Sequence, residues 1–258
     1  MLLRYLTVGS LLLVAARGAA AQSAADHIAL GDSAHAALKP VEALAHYKEA
    51  IAADSTDYAA LWRAAREAVD LGEFEPNRQK QHEYYLEGQG YAKRAVAADS
   101  ADAEGHFALA RALGRVALTL GAKERVRYAK EIRHEAQEAL KYDSLHAGAL
   151  HVLGLWNAEI MRLSGLSRFF AKAFLGAGVF NEASWDSAVY YMEKSVKADP
   201  KRLIHHLDLG RVYRDRDQSG DREKAREQLE MVVNGEVTEY NDQFYKKQAE
   251  AEIAKLKS

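Results

Sequence analysis

Apolar residues along this chain return every three or four positions and leave charged residues between them, the spacing of helices packed on one side. A clear stripe is Tyr128, Ile132, Ala136 and Ala139. No segment alternates apolar and polar residues between turn residues as a half-buried strand does, so the chain reads as all-α. The helical runs are punctuated four times in the same way. Ala50-Ile51, Ala95-Val96, Ala139-Leu140 and Ser195-Val196 each lead into an aspartate followed by serine or proline: Asp54-Ser55, Asp99-Ser100, Asp143-Ser144 and Asp199-Pro200. A small-residue or leucine-rich helix start follows each mark, at Tyr58–Leu61, Ala103–Phe107, Ala147–Leu150 and Leu203–Leu207. A recurring unit of this kind predicts a stacked array of helix pairs.

Counted from Ala24, the residues Leu30-Gly31, Ala34, Ala43, Tyr47, Ala50 and Ser55 fall where a tetratricopeptide repeat places its small and bulky packing residues, so the stretch resembles that family. Gly31 and Ala43 let two antiparallel helices approach, Tyr47 fills the wedge toward the next pair, and Pro40 sits at a helix start, where its missing N–H costs little. Successive marks are 45, 44 and 56 residues apart, all longer than the usual period of about 34. The reading is an α-solenoid with units at about 24–57, 58–102, 103–146, 147–202 and 203–234, their second helices elongated. Asn234-Gly235 reads as a helix stop. A last helix from Asp242 through Ile253 and Leu256 carries Lys246, Lys247, Glu250, Glu252, Lys255 and Lys257, which suits a polar cap (240–257) on an open array. Trp62-Arg63-Ala64, Leu153-Gly154-Leu155-Trp156, a Phe-rich insertion at 164–180 and Leu203–Gly210 narrow the resemblance further. Together with the long repeats they are similar to the regulator of microtubule dynamics family, over about residues 58–215. That resemblance implies a non-enzymatic interaction module.

Composition sharpens this in three ways. Abundant alanine and only three prolines in 258 residues favour helix. The first 21 residues, with Arg4, an apolar run from Leu6 to Ala16 and Ala19-Ala20-Ala21 before Gln22, read as a secretory signal peptide. The expected location is therefore exported, periplasmic or secreted, with domain 22–258 and no stable membrane span after cleavage. The formal charge is −2 and there is no cysteine. A weakly acidic chain lacks the basic footprint of a nucleic-acid binder, and a core of this size needs no disulfides.

Candidate chemistry lies on the first helices, which line the concave face of such arrays. Trp62, Arg63, Arg66, Phe107, Arg111, Arg115, His151, Arg211 and Arg214 form an arginine-rich, aromatic-interleaved set. Guanidinium forks suit carboxylates, so the expected partner is a protein or peptide, acidic in character, or a chain terminus. The alternative is internal pairing with Glu67, Asp70, Glu159, Asp208 and Asp215. In the insertion, Leu166, Phe169, Phe170, Phe174 and Phe180 read either as a core plug or as a surface for a lipid or apolar ligand. Glu131 and His134 form a single Glu-x-x-His without a second copy, and His27, His106 and His206 fall at equivalent repeat positions, which speaks for packing. No phosphate loop, nucleophile elbow or His-Glu-x-x-His helix is present. The reading calls for no cofactor, no metal and no catalytic residues.

Overall fold

The computed structural model describes residues 22–163 and 182–257. The targeting segment and the Phe-rich insertion, with Leu166, Phe169, Phe170, Phe174 and Phe180, lie outside the described residues. Among the described residues there are helices and no strands. The helices are α1 (22–36), α2 (Pro40–Ala53), α3 (Tyr58–Glu73), α4 (Arg78–Ala98), α5 (Ala103–Leu118), α6 (Ala122–Tyr142), α7 (Ala147–Arg162), α8 (Trp185–Ala198), α9 (Leu203–Arg216), α10 (Asp221–Asn234) and α11 (Asp242–Lys257). Helices α4 and α6 run to 21 residues each, whereas α2 and α10 have 14.

Each aspartate mark is a complete turn. Asp54, Asp99, Asp143 and Asp199 close the preceding helix with their own N–H groups, which donate to the carbonyl four residues back. Their side-chain Oδ1 atoms then accept the N–H two residues ahead, from Thr56 (2.9 Å), Ala101 (2.9 Å), Leu145 (3.0 Å) and Lys201 (3.3 Å). This is the local bond that makes aspartate a turn former. Three residues after each mark comes the next N-cap. Asp57 accepts from Ala60 N–H, Asp102 from Glu104 N–H and His146 Nδ1 from Ala149 N–H, satisfying donors that a helix start leaves orphaned. His106 and His206 brace two of the turns alike. His106 Nε2 lies 3.2 Å from the Ser100 carbonyl and Nδ1 2.6 Å from Glu135, while His206 Nε2 lies 2.9 Å from the Pro200 carbonyl and Nδ1 2.8 Å from Gln228.

In four of the five pairs, all but α5 and α6, the two helices meet over a glycine of the first. A Cβ on Gly31 would strike the ring of Tyr47, one on Gly72 would lie 2.6 Å from Tyr85 Cε1, and one on Gly154 2.6 Å from Met192 Cγ. Tyr47 and Met192 are fully buried at these crossings, and Tyr47 places its hydroxyl 2.7 Å from Asp32 Oδ1. The first helices also pack on one another, α3 on α5, α5 on α7, α7 on α9 and α9 on α11. They form the inner, concave layer, with α2, α4, α6, α8 and α10 outside.

The C-terminal segment departs from the expectation of an open array. Helix α11 caps α9 and α10 by burying Tyr245, Ala249 and Leu256 in their core. Its start also folds back onto the second pair. Asn241 Nδ2 donates to the Asp70 carbonyl (3.1 Å), Tyr245 Oη donates to Glu73 (2.9 Å), and Phe244 stacks on Phe74 with centroids 4.3 Å apart. Glu239 pairs with Arg202 and sits 3.9 Å from His35 of α1. The array therefore winds tightly enough for its last helix to reach its third. No helix among the described residues is long and apolar enough to cross a membrane.

Candidate functional site

The sequence-predicted residues divide along the inner layer. At the N-terminal end the guanidinium of Arg63 lies 4.3 Å from the Trp62 ring centroid and donates Nε to Asp32 (2.9 Å) and Nη1 to the Ala59 carbonyl. Arg66 lies 5.4 Å from the same ring and donates to Glu67 (2.8 Å), a carboxylate only 1% exposed that also meets His35 at 2.9 Å. One turn onward, Arg111 of α5 bonds Asp70 of α3 and lies 3.7 Å from Glu73, and Arg115 bonds Glu73 at 2.6 Å. Burial pushes the Asp70 carboxyl up, but the charge and hydrogen bond of Arg111 outweigh it and hold the group below the usual carboxylate range. Tyr245 of α11 closes this cluster, its hydroxyl held well above its ordinary value by burial and by Glu73.

At the C-terminal end His151 lies 3.0 Å from Asp208 Oδ2, and Arg211 donates to Asp208 (3.0 Å) and to Gln248 of α11 (2.7 Å). Arg214 bonds Asp215 and Glu252. Burial raises the Asp208 carboxyl, and the hydrogen bond and charge of His151, with Arg211, more than reverse this. His205, 4% exposed, lies beside His151 with ring centroids 4.9 Å apart, its Nδ1 without a partner among the described residues. Burial, then His151 and Arg202, hold its pKa well below the ordinary imidazole value.

All six predicted arginines thus meet carboxylates of the chain itself: Arg66, Arg111, Arg211 and Arg214 pair with Glu67, Asp70, Asp208 and Asp215, as the alternative from sequence had it, whereas Arg63 and Arg115 take Asp32 and Glu73, which it did not name, and Glu159 is taken by Arg162. The fold brings Trp62, Arg66, Phe107 and Arg111 around one small cavity and sets apart His151, on Asp208, and Arg211 and Arg214, which reach α11. Phe107 packs on the His146 ring at 4.7 Å and over Gly148. Sequence reasoning missed Arg202, Glu73 and Tyr245. Arg202 carried a visible signal, since it occupies the N-cap that Asp57, Asp102 and His146 fill in the other repeats, and makes no side-chain cap bond there. Glu73 and Tyr245 are 172 residues apart, and no local spacing announces their contact. Among the described residues no three His, Asp or Glu side chains gather as a metal site.

Stacked antiparallel helix pairs, meeting over glycines and lined inside by their first helices, define a tetratricopeptide-type repeat protein. The chain belongs to the family described as regulator of microtubule dynamics protein 1-3, whose model matches residues 23–257. The match takes in the first pair and the last helix as well as the 58–215 stretch that carries the resemblance in the sequence. Among solved structures the chain is similar to TTC0263, a thermophilic TPR protein of Thermus thermophilus. The two share 16% identity, with 88% of this chain and 99% of that one covered and a TM-score of 0.60. It is also similar to MamA protein, at 16% identity, 84% and 97% coverage and a TM-score of 0.49. At such identities the similarity is one of fold. No curated protein matches the chain.

Proposed function

We propose that this protein is a non-enzymatic scaffold of the cell envelope that binds an acidic protein or peptide partner across its arginine-bearing concave layer. One observation carries the reading. The side chains of Arg66, Arg111, Arg115 and Arg211 stay 17–26% exposed, while their anchoring carboxylates Glu67, Asp70, Glu73 and Asp208 are no more than 10% exposed. A buried carboxylate gripping one side of a guanidinium fixes its direction and leaves other N–H donors facing outward, which lowers the ordering cost of binding an anion. The aromatic faces of Trp62 and Phe107 supply contact area beside those donors. The export signal read in residues 1–21 supports a location outside the cytoplasm, and N-terminal sequencing of the fractionated mature protein is expected to begin at Gln22.

The test of partner binding is site-specific photo-crosslinking in the cell of origin. A photoreactive phenylalanine analogue at Arg63 or Arg211 is expected to give a discrete adduct with one partner. The same probe at Lys197, on the outer layer, is expected to give none. Equal labelling from both faces would refute the concave site.

A further inference from the structure

We propose that the turn before α11, with the first turn of that helix, is an autoinhibitory latch. It holds the array wound and covers the end of α3, and its release opens the concave layer to a partner. The proposal rests on the concave-binding reading and adds what regulates it.

Helix α11 is fastened unequally at its two sides. Along its length it belongs to the fifth pair. Tyr245, Ala249 and Leu256 share a core with Leu207 and Leu229, Arg211 of α9 bonds Gln248 (2.7 Å), Arg214 bonds Glu252, and Arg222 of α10 donates Nε to the Leu256 carbonyl (3.0 Å). Among the described residues, the hydrogen bonds, ion pair and ring contacts that tie this segment to α1 and to the end of α3 come from Glu239, Asn241, Phe244 and Tyr245. The segment therefore travels with the fifth pair, and its contact with α3 opens or closes as one event, a rigid-body switch.

The latch is preformed, and its grip is slight. Asp242, 1% exposed, accepts the N–H groups of Thr238 (2.9 Å) and Glu239 (2.8 Å), so the turn is fixed by its own bonds. Phe244 stays 39% exposed in its stack on Phe74. Asn241, 3% exposed, gives Nδ2 to the Asp70 carbonyl, but its Oδ1 has no partner among the described residues. A buried acceptor left unpaired costs free energy that water returns on opening. Release strands no charge. Glu73 keeps Arg115 (2.6 Å), Asp70 keeps Arg111, Glu239 keeps Arg202 and His35 keeps Glu67 (2.9 Å). The Asp70 carbonyl is one of the last four of α3, which at a free helix end turn to water.

The latch lies on the inner layer itself, Tyr245 on Glu73 and Phe244 on Phe74. A partner that needs this stretch binds only the open form, so its apparent affinity scales with the open fraction.

The chain has no cysteine, so paired spin labels report the winding without background. Labels at Ser33→Cys and Lys247→Cys, both exposed, span the closure from α1 to α11, and labels at Glu223→Cys and Lys247→Cys lie within the fifth pair and its cap. Pulsed dipolar spectroscopy on the full chain is expected to give one short α1–α11 distance. Glu239→Gln with Phe244→Ala is expected to add a longer population there and to leave the α10–α11 distance unmoved. In the cell, the photoreactive analogue at Arg63 is expected to give about three-fold more adduct in that variant, in step with the open population. An unmoved α1–α11 distance would overturn the latch. Should the double variant lose helix content, Phe244→Ala alone is read the same way. If the native chain gives an adduct and the opened chain gives no more, the latch falls and the scaffold stands. If neither chain gives an adduct from Arg63 or Arg211, the concave reading falls and the latch with it.

Discussion

At the scale of single residues, glycine and aspartate carry much of the fold. The glycines act through the atom they lack. A methyl at Gly72 would press into the ring of Tyr85, a side chain 3% exposed, and a packed interior has little space to yield. Gly72→Ala is therefore expected to cost about 1–3 kcal/mol by overpacking, measured by urea unfolding. The cost arises even though alanine is the better helix former. Leu30-Gly31, Leu71-Gly72, Leu153-Gly154 and Leu209-Gly210 were legible in the sequence as repeated pairs. The residue received by each glycine was less so, because it changes from Tyr to Met to Leu (Tyr47, Met192, Leu229) along the chain.

At the scale of elements, the aspartate marks explain why one helix stops and the next begins four residues after the mark. The turn is closed by bonds that span two to four residues, which is why it could be read from one dimension. Asp143→Ala removes the acceptor of the Leu145 N–H and is expected to cost about 1 kcal/mol, the order found for a lost side-chain cap. Hydrogen exchange at Leu145 should rise while that of α9 stays unchanged. Helix α11 shows the opposite case. Its charge pattern suggested a solvated cap, and its buried side, Tyr245, Ala249 and Leu256, does cap the last pair. That Asn241 and Tyr245 also clasp α3 follows from the pitch of the whole array, and pitch is the sum of many small packing angles that no short window contains.

At the scale of the molecule, the charge pairs link the pairs of helices and give the fold a pH signature. His205 is held neutral by burial, so the unfolded chain, in which it titrates near the usual 6.5, binds more protons below that pH. Its contribution is complete above about pH 6.5 and is lost as pH falls toward the lowered folded value, at no more than about 1.4 kcal/mol per pH unit. The urea midpoint is expected to decline on acidification through pH 6, and His205→Gln to flatten that limb. Asp70 and Asp208, both depressed, add a second loss below about pH 4. Asp242, raised chiefly by burial, opposes it in sign. The sequence alone determined the helical class, the punctuation and the arginine-rich inner positions, because each is written in residues three to seven apart. The tertiary structure decided which carboxylate grips each arginine, that the C-terminal segment occupies part of the concave layer, and that Arg202 joins Arg66 and Arg111 around a cavity. Those contacts join residues that only the winding of the array brings together, and winding is a cooperative property of the whole stack.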